Sequence, residues 1–495
     1  MMKRLLLYIY FITPIMMLSC SDDDSFSSDS AYRISFSADT ISLDTVFSTV
    51  PTSTYSFSVY NRNSKGLHIN KIRLKRGNQT GYRVNVDGVY LDNASGSQAY
   101  DFDIRKNDSI RVFVELTPSF NNADMPKLVS DDIVFTLESG VEQSVNLRAY
   151  SWDAQMFDSL IITRDSVMET EKPVLVRKGI KIDSTATLTI KYPTKIYFHN
   201  GAGIDVYGRL IVCGQPVQGG DVVLRGDRTD RMFSYLPYDR ISGQWRGIRI
   251  YPSSSGNVIT GADIHSSEYG IICDSAAYNP DETRLAVHYS TIHNCKGAGI
   301  LAFNSFVHIS DTQISNTLGD CLAVYGGRTE VVFSTLAQFY PFSADRGMAL
   351  NFADHYNGHP YPTEALVCYN TLITGYAKDV INGSLRDTVN VASYAFVNSI
   401  IRTPEIKDTI EIKHFVDCIF ETPEDSIQGK EHFINIDETN MIYNFHLQEK
   451  SPARGRAYLF PGEYPLDRDY RLRGNFPDIG CFQYNEEDKD GENKH

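Results

Sequence analysis

Two histidines four residues apart can hold a metal, and residues 339–364 contain such a pair in His355 and His359. On a helix, His355 and His359 would share one face at a spacing that suits zinc. Asn357-Gly358 between them and Pro360 behind them break any helix, so the spacing carries little weight and no metal or other cofactor is expected. The same segment interleaves Asp345 and Arg346 with Tyr340, Phe342, Phe352, Tyr356 and Tyr361. Exposed aromatic faces stack on sugars and anchor interfaces, which makes Arg346, Tyr356 and Tyr361 candidate ligand-binding residues. The competing reading is a loop whose aromatics only cover the strands beneath it.

A second segment, residues 274–284, adds Tyr278, Asp281, Glu282 and Arg284, with His265 and Glu268 just before it. If the two segments flank a cleft, Glu268, Asp281 and Asp354 are its candidate acids, and Tyr278 joins the ligand-binding set. Glycoside hydrolysis needs two carboxylates facing each other roughly 5–10 Å apart. No such pair can be read from these spacings. The strand-turn aspartates Asp263 and Asp311 are expected to cap turns.

What must hold these residues is β-structure. The chain has 495 residues with 30 Tyr and 26 Phe against 2 Trp, and 34 Gly. Tyr and Phe favour half-buried strands and Gly favours turns, so an all-β chain is expected. The net charge is −14 with no cluster of Lys and Arg, which argues against nucleic acid as a partner.

Residues 32–150 hold short alternating runs such as Tyr55-Ser56-Phe57-Ser58-Val59-Tyr60 and Ile110-Arg111-Val112-Phe113-Val114, separated by turn clusters. Such runs predict a β-sandwich of about seven strands. After a linker at 151–172 the pattern changes. A phrase of one small or polar residue, one more residue, then Ile or Leu recurs from 173 to 484, ending at Ile264, Ile292, Ile314, Leu336, Leu372, Ile400 and Ile419. The intervals are 28, 22, 22, 36, 28 and 19, which reads as a period near 22 with loop insertions. Val, Ile, Tyr and Thr at that period predict a right-handed parallel β-helix of roughly ten coils, three strands to a coil, stacked at about 4.8 Å. Asn294 would then lie over Asn316 in an amide ladder, and Cys273 over Cys295 as free buried thiols.

Several segments carry resemblances. The run Phe57-Ser58-Val59-Tyr60-Asn61-Arg62-Asn63 with Asp108-Ser109-Ile110-Arg111-Val112-Phe113-Val114 resembles hydin-like immunoglobulin folds, which implies a spacer or binding module. Gly201-Ala202-Gly203-Ile204-Asp205-Val206 and Gln244-Trp245-Arg246-Gly247-Ile248 resemble the opening coils of pectate-lyase-like β-helix proteins. Ser451-Pro452-Ala453-Arg454-Gly455 with Pro477-Asp478-Ile479-Gly480 resembles their terminal cap. That superfamily hosts lyases, hydrolases, adhesins and scaffolds, so it implies the fold without an activity. Calcium would be expected only in a lyase, alongside a Lys or Arg base.

At the amino end, Lys3 and Arg4 precede an apolar run at 5–18, too short for a membrane span of about 20 residues and suited to a signal peptide over 1–19. Met17-Leu18-Ser19-Cys20 resembles a lipobox, which implies a lipid on Cys20 and a membrane as partner. The acidic Ser21-Asp22-Asp23-Asp24 opens a tether over 20–31 and resembles the export signal of surface lipoproteins of Bacteroidota. Asp44-Thr45-Val46, Asp108-Ser109-Ile110 and Asp387-Thr388-Val389 resemble O-glycosylation acceptors of the same group, or are plain Asp turns. Residues 485–495 read as a disordered charged tail. The functional expectation is an outer-membrane surface lipoprotein that binds a glycan or a partner outer-membrane protein without catalysis. The alternatives are a polysaccharide lyase or glycoside hydrolase, and an adhesin.

Overall fold

The structure, a computed structural model, describes residues 25–233, 235–386 and 393–489. The expected signal peptide, Cys20, the motif at 387–389 and residues 490–495 lie outside the described residues. The chain divides into two units after Asp153.

The first unit is a β-sandwich of two five-stranded sheets. It has more strands than the expected seven because short edge strands, Ser35–Phe36 and Val89–Tyr90, are too brief to show an alternating pattern. In Ser109–Leu116 every second side chain turns inward, and Leu67–Leu74 does the same on either side of a register shift between Ile69 and Lys71. The inward positions meet as one core around Ile69, Ile72, Val112, Val114 and Phe135, all fully buried. Each such side chain contributes about 1.5–3 kcal/mol.

The second unit is a right-handed parallel β-helix, so the chain is all-β as expected. Its 26-stranded sheet winds through three columns of parallel strands. The first column includes Ile204–Val206, Ile248–Ile250 and Ile271–Cys273. The second includes Arg209–Cys213, Asn257–Thr260 and Leu285–His288. The third includes Val222–Gly226, Ala262–His265, Thr291–His293 and Gln313–Ser315. Stacked aliphatic rungs such as Ile264, Ile292, Ile314 and Leu336 fill the lumen.

The stack begins earlier than the expected linker allows. Gln155–Ile162 pairs in parallel with Val174–Ile182, and Ser166–Met168 with Thr187–Lys191, so 155–168 forms the first coil. A terminal coil has a neighbour on one side only. Its strand therefore stays mostly exposed or half-buried, without the buried alternation that marks a strand, which hid it among linker-like residues.

A column of left-handed turn residues precedes the third column of strands. Gly261, Tyr289, Asp311, Phe333, Asn370, Asn398 and Asp417 all have positive φ. Behind them runs a ladder of buried hydroxyls: Ser290 accepts from the Ala262 amide, Thr312 from Ser290, Ser334 from Thr312, and Ser399 from Thr371. These bonds satisfy amides that the sharp turn leaves without a strand partner. The register also corrects one interval: Leu336 pairs with Ile373, one residue beyond Leu372. Asn294 and Asn316 follow the paired residues His293 and Ser315 and share φ of 53°. The Asn294 amide, however, donates to the Arg240 carbonyl at 2.6 Å instead of to Asn316. Cys273 and Cys295 do not stack. Cys273 lies between Ile250 and Ala302 in the first column, while Cys295 accepts from Ser267 beside the third. Both are free and buried, and their 22-residue interval spans two columns.

The carboxyl-terminal part does more than cap the last coil. The hairpin Phe433–Asp437 and Ile442–Leu447 and the chain after it pack along the outside of the third column. Phe433, Phe445, Ile479 and Phe482 cover Ala337, Phe339, Leu372 and Ile400 there. Nor is the start of the tail disordered: Glu486–Lys489 forms a turn in which Asp488 pairs with Arg471 at 2.6 Å. Of the charges that suggested solvation, Asp488 is held by that pair.

Two outcomes are expected. Ser334→Ala removes the acceptor for the buried Thr312 amide and lowers stability by about 1–3 kcal/mol in chemical denaturation. His288 donates or accepts at Ser310 at 2.9 Å, and burial, helped by the neighbouring His308, pushes its pKa down to about 4. The unfolded imidazole takes its proton near 6.5, so this stabilisation is present above pH 6.5 and is lost as pH falls toward 4. Denaturation midpoints of the wild type should fall across that window, and His288→Asn should flatten the fall.

Candidate functional site

The residues singled out from the sequence do not form one site. Glu268 is half exposed and pairs with Lys296 at 3.3 Å. Asp281 sits in an exposed turn whose amide is capped by Asn279. Asp354 is buried and accepts from His355 at 2.7 Å and from the Arg386 amide at 2.7 Å. His355 and His359 lie on opposite strands of a small hairpin in which His355 faces Pro360, so the expected break of any helix is observed. Tyr356 and Tyr361 do come together, packing on Phe303 with ring centroids 5.2 and 5.5 Å away. Arg346 belongs elsewhere: it donates to the Tyr340 carbonyl and covers the Tyr376 ring at 4.8 Å. Tyr278 has its phenol pKa raised by burial and by Glu364.

The concave site lies instead between the outer face of the third column and the carboxyl-terminal chain. It is a cleft of about 380 Å³, within the roughly 300–1,000 Å³ of ligand sites. Strand alternation builds its floor. Ile264 points into the lumen, so Asp263 and His265 point out together. Parallel register sets His293 of the next coil directly on His265, with ring centroids 4.7 Å apart. Asp263 Oδ1 lies 2.9 Å from His265 Nδ1 and 3.1 Å from His293 Nε2. The opposite wall carries Arg468, Asp469 and Arg471 from the carboxyl-terminal chain, with Tyr443, Phe445 and Phe482 beside them.

Electrostatics divides the carboxylates. Burial raises the pKa of Asp221, against the pull of Arg468 at 2.8 Å. Burial also acts on Asp263, but the two imidazoles outweigh it and hold that carboxyl well below its usual range. Asp469 is likewise held low against burial by His446 at 2.9 Å and by Arg468 and Arg471. His265 is pushed down by burial in spite of Asp263. Two atoms are left over: Tyr443 Oη and Asn316 Oδ1 are buried at the cleft without a hydrogen-bond partner among the described residues. Asp263, His265 and His293 also bring three metal-ligating atoms within 4.8 Å of one another.

Sequence reasoning missed this cleft for a definable reason. His265 and His293 each follow the recurring Ile of the phrase, a repeated position that marks them as stacked. The far wall gives no local signal, because Arg468 reaches Asp221 across 247 positions.

The right handed beta helix region family matches residues 162–336. No curated protein matches. Among solved structures, a family 123 glycoside hydrolase from Clostridium perfringens, studied for glycolipid glycan hydrolysis, shares 9% identity over 26% of this chain and 30% of its own, with a TM-score of 0.18. The chain thus covers under a third of that enzyme. The ASH/PapD-like domain of human CEP192 shares 13% identity over 25% of this chain and 87% of its own, with a TM-score of 0.17. Likenesses this slight carry no argument about function.

The far wall is fastened by Arg473, which pairs with the fully buried Asp311 at 2.9 Å. Burial has pushed the Asp311 carboxyl up to about 6 even with that partner. Arg473→Met leaves Asp311 uncompensated and should cost about 3–5 kcal/mol. Amide exchange should show residues 466–482 loosening first, since they lose the anchor directly.

Proposed function

We propose that the chain is a surface lipoprotein, anchored through a lipid on Cys20, whose β-helix binds a glycan in the cleft beside Asp263 and Tyr443 without catalysis. The observation that carries this reading is the set of leftover polar atoms. Tyr443 Oη and Asn316 Oδ1 are buried at the cleft and lack a hydrogen-bond partner among the described residues. A hydroxyl-rich ligand would satisfy both, and leaving them unmade costs free energy. Aromatic faces at Tyr443 and Phe482 supply apolar surface for sugar rings, and the fixed ion pairs around them supply orientation. The immunoglobulin-like sandwich would serve as a spacer between membrane and cleft. A partner outer-membrane protein is the other ligand class that fits the same anchor.

A hydrolase is favoured by one specific observation: in one cleft Asp221 is shifted up while Asp263 and Asp469 are shifted down. Carboxyls pushed apart in this way suit an acid and its ionised counterpart. One experiment addresses both readings. The purified chain is titrated with neutral and uronic polysaccharides by calorimetry while reducing ends and unsaturated products are followed. Binding weakened about tenfold by Tyr443→Phe, with no product formed, is the expected outcome. Product formation lost in Asp221→Asn supports the hydrolase. Absence of any glycan affinity, with an outer-membrane protein captured by the lipidated chain, would sink the glycan reading.

A further inference from the structure

We infer that Asp263, His265 and His293 form a binding site for a divalent cation of the zinc class, with its fourth position open to the cleft. Hydrogen bonding fixes which nitrogen of His293 carries a proton. The Asn294 amide nitrogen donates to the Arg240 carbonyl at 2.6 Å, which only the NH₂ end can do. Asn294 Oδ1 therefore faces His293 Nδ1 at 2.8 Å, and Nδ1 must be the donor. In a neutral ring that leaves the Nε2 lone pair aimed at Asp263 Oδ1, 3.1 Å away. Two acceptors face each other, and either a second proton on Nε2 or a metal ion bound by both makes the contact attractive. A histidine whose far nitrogen donates to a protein oxygen while the near one points at a carboxylate has the outer support of a metal ligand.

The remaining geometry agrees. Zinc holds nitrogen and oxygen at about 2.0–2.2 Å, so tetrahedral ligands lie about 3.3 Å apart. The two carboxylate–nitrogen separations of 2.9 and 3.1 Å are a few tenths of an ångström shorter. Both rings project from adjacent rungs of a rigid parallel ladder, which fixes them without a loop. The nearby Asp239 carboxylate is engaged elsewhere, with Oδ2 3.8 Å from Arg225. Asp263 and His293 line the 380 Å³ cleft, which gives an ion its way in. Two imidazoles and one carboxylate, with the fourth position open, suit zinc better than calcium, which takes six to eight oxygens. The inference does not depend on the cleft holding a glycan.

The test uses the full chain, stripped with chelator and titrated with Zn²⁺ by calorimetry, with bound metal counted by mass spectrometry. One equivalent is expected. His265→Gln and His293→Gln should each weaken it at least tenfold, and His359→Ala, in the exposed hairpin, should leave it unchanged. Circular dichroism checks that the variants fold. If they do not, X-ray absorption of the zinc-loaded wild type decides, with two imidazoles and oxygen expected in the first coordination sphere. The site is overturned by no stoichiometric zinc on the wild type, by folded glutamine variants that keep full affinity, or by a spectrum without imidazole. An NMR signal from His293 protonated at Nε2 and unchanged by zinc would overturn it as well, since a proton would then be the cation.

Discussion

Parallel backbone pairing between successive coils is the constraint from which the rest of this β-helix follows. Each coil must bring its strands into register with the coil below, and a single slipped residue would turn a whole lumen row outward. The polypeptide meets this demand at one recurring turn. There a left-handed residue reverses the chain and a hydroxyl from the next coil takes up the amide the turn exposes. Glycine fills that position at 261, but Tyr289 and Phe333 do so as well. Such side chains adopt that backbone only when their surroundings hold them. At Phe333 the surroundings are visible: Arg473 lies over its ring at 4.1 Å.

Register also explains how chemistry arises on a scaffold with so few loops in play. Alternation turns Asp263 and His265 to the same side, and stacking adds His293 without any local design of its own. In a solenoid, a functional group on one rung acquires its neighbours from residues 22 or 28 positions away, as His265 does from His293. The titratable cluster is thus a by-product of the same periodicity that fills the core.

This governs how much could be read from the chain beforehand. The all-β composition, the sandwich and the period near 22 were legible, because burial imposes regular alternation on Ser109–Leu116 and a regular recurrence on Ile292 and Ile314. The first coil at 155–168 was not, because a coil with one neighbour has little to bury. Cys273 and Cys295 show the limit of interval arithmetic: 22 positions can separate two residues on different columns. The aromatic and histidine-bearing segment at 339–364 drew notice because it is locally rich in functional side chains. Its members disperse, with Arg346 against Tyr376 and Tyr356 against Phe303. The cleft escaped notice because its two walls are joined only by tertiary contacts such as Arg468 with Asp221.

The carboxyl-terminal chain along the third column has a consequence for how the molecule comes into being. Coils of a solenoid interact with their nearest neighbours and can form one after another as the chain becomes available. The cleft cannot, because its outer wall lies hundreds of residues beyond its floor: Arg468 closes on Asp221 across 247 positions, and Arg473 on Asp311 across 162. Contacts so distant in sequence form late, after the loop between them has been organised. The floor residues Asp263 and His293 therefore stand open to solvent on a finished stack until residues 468–473 dock. Assembly of the fold and assembly of the site are separate events in time.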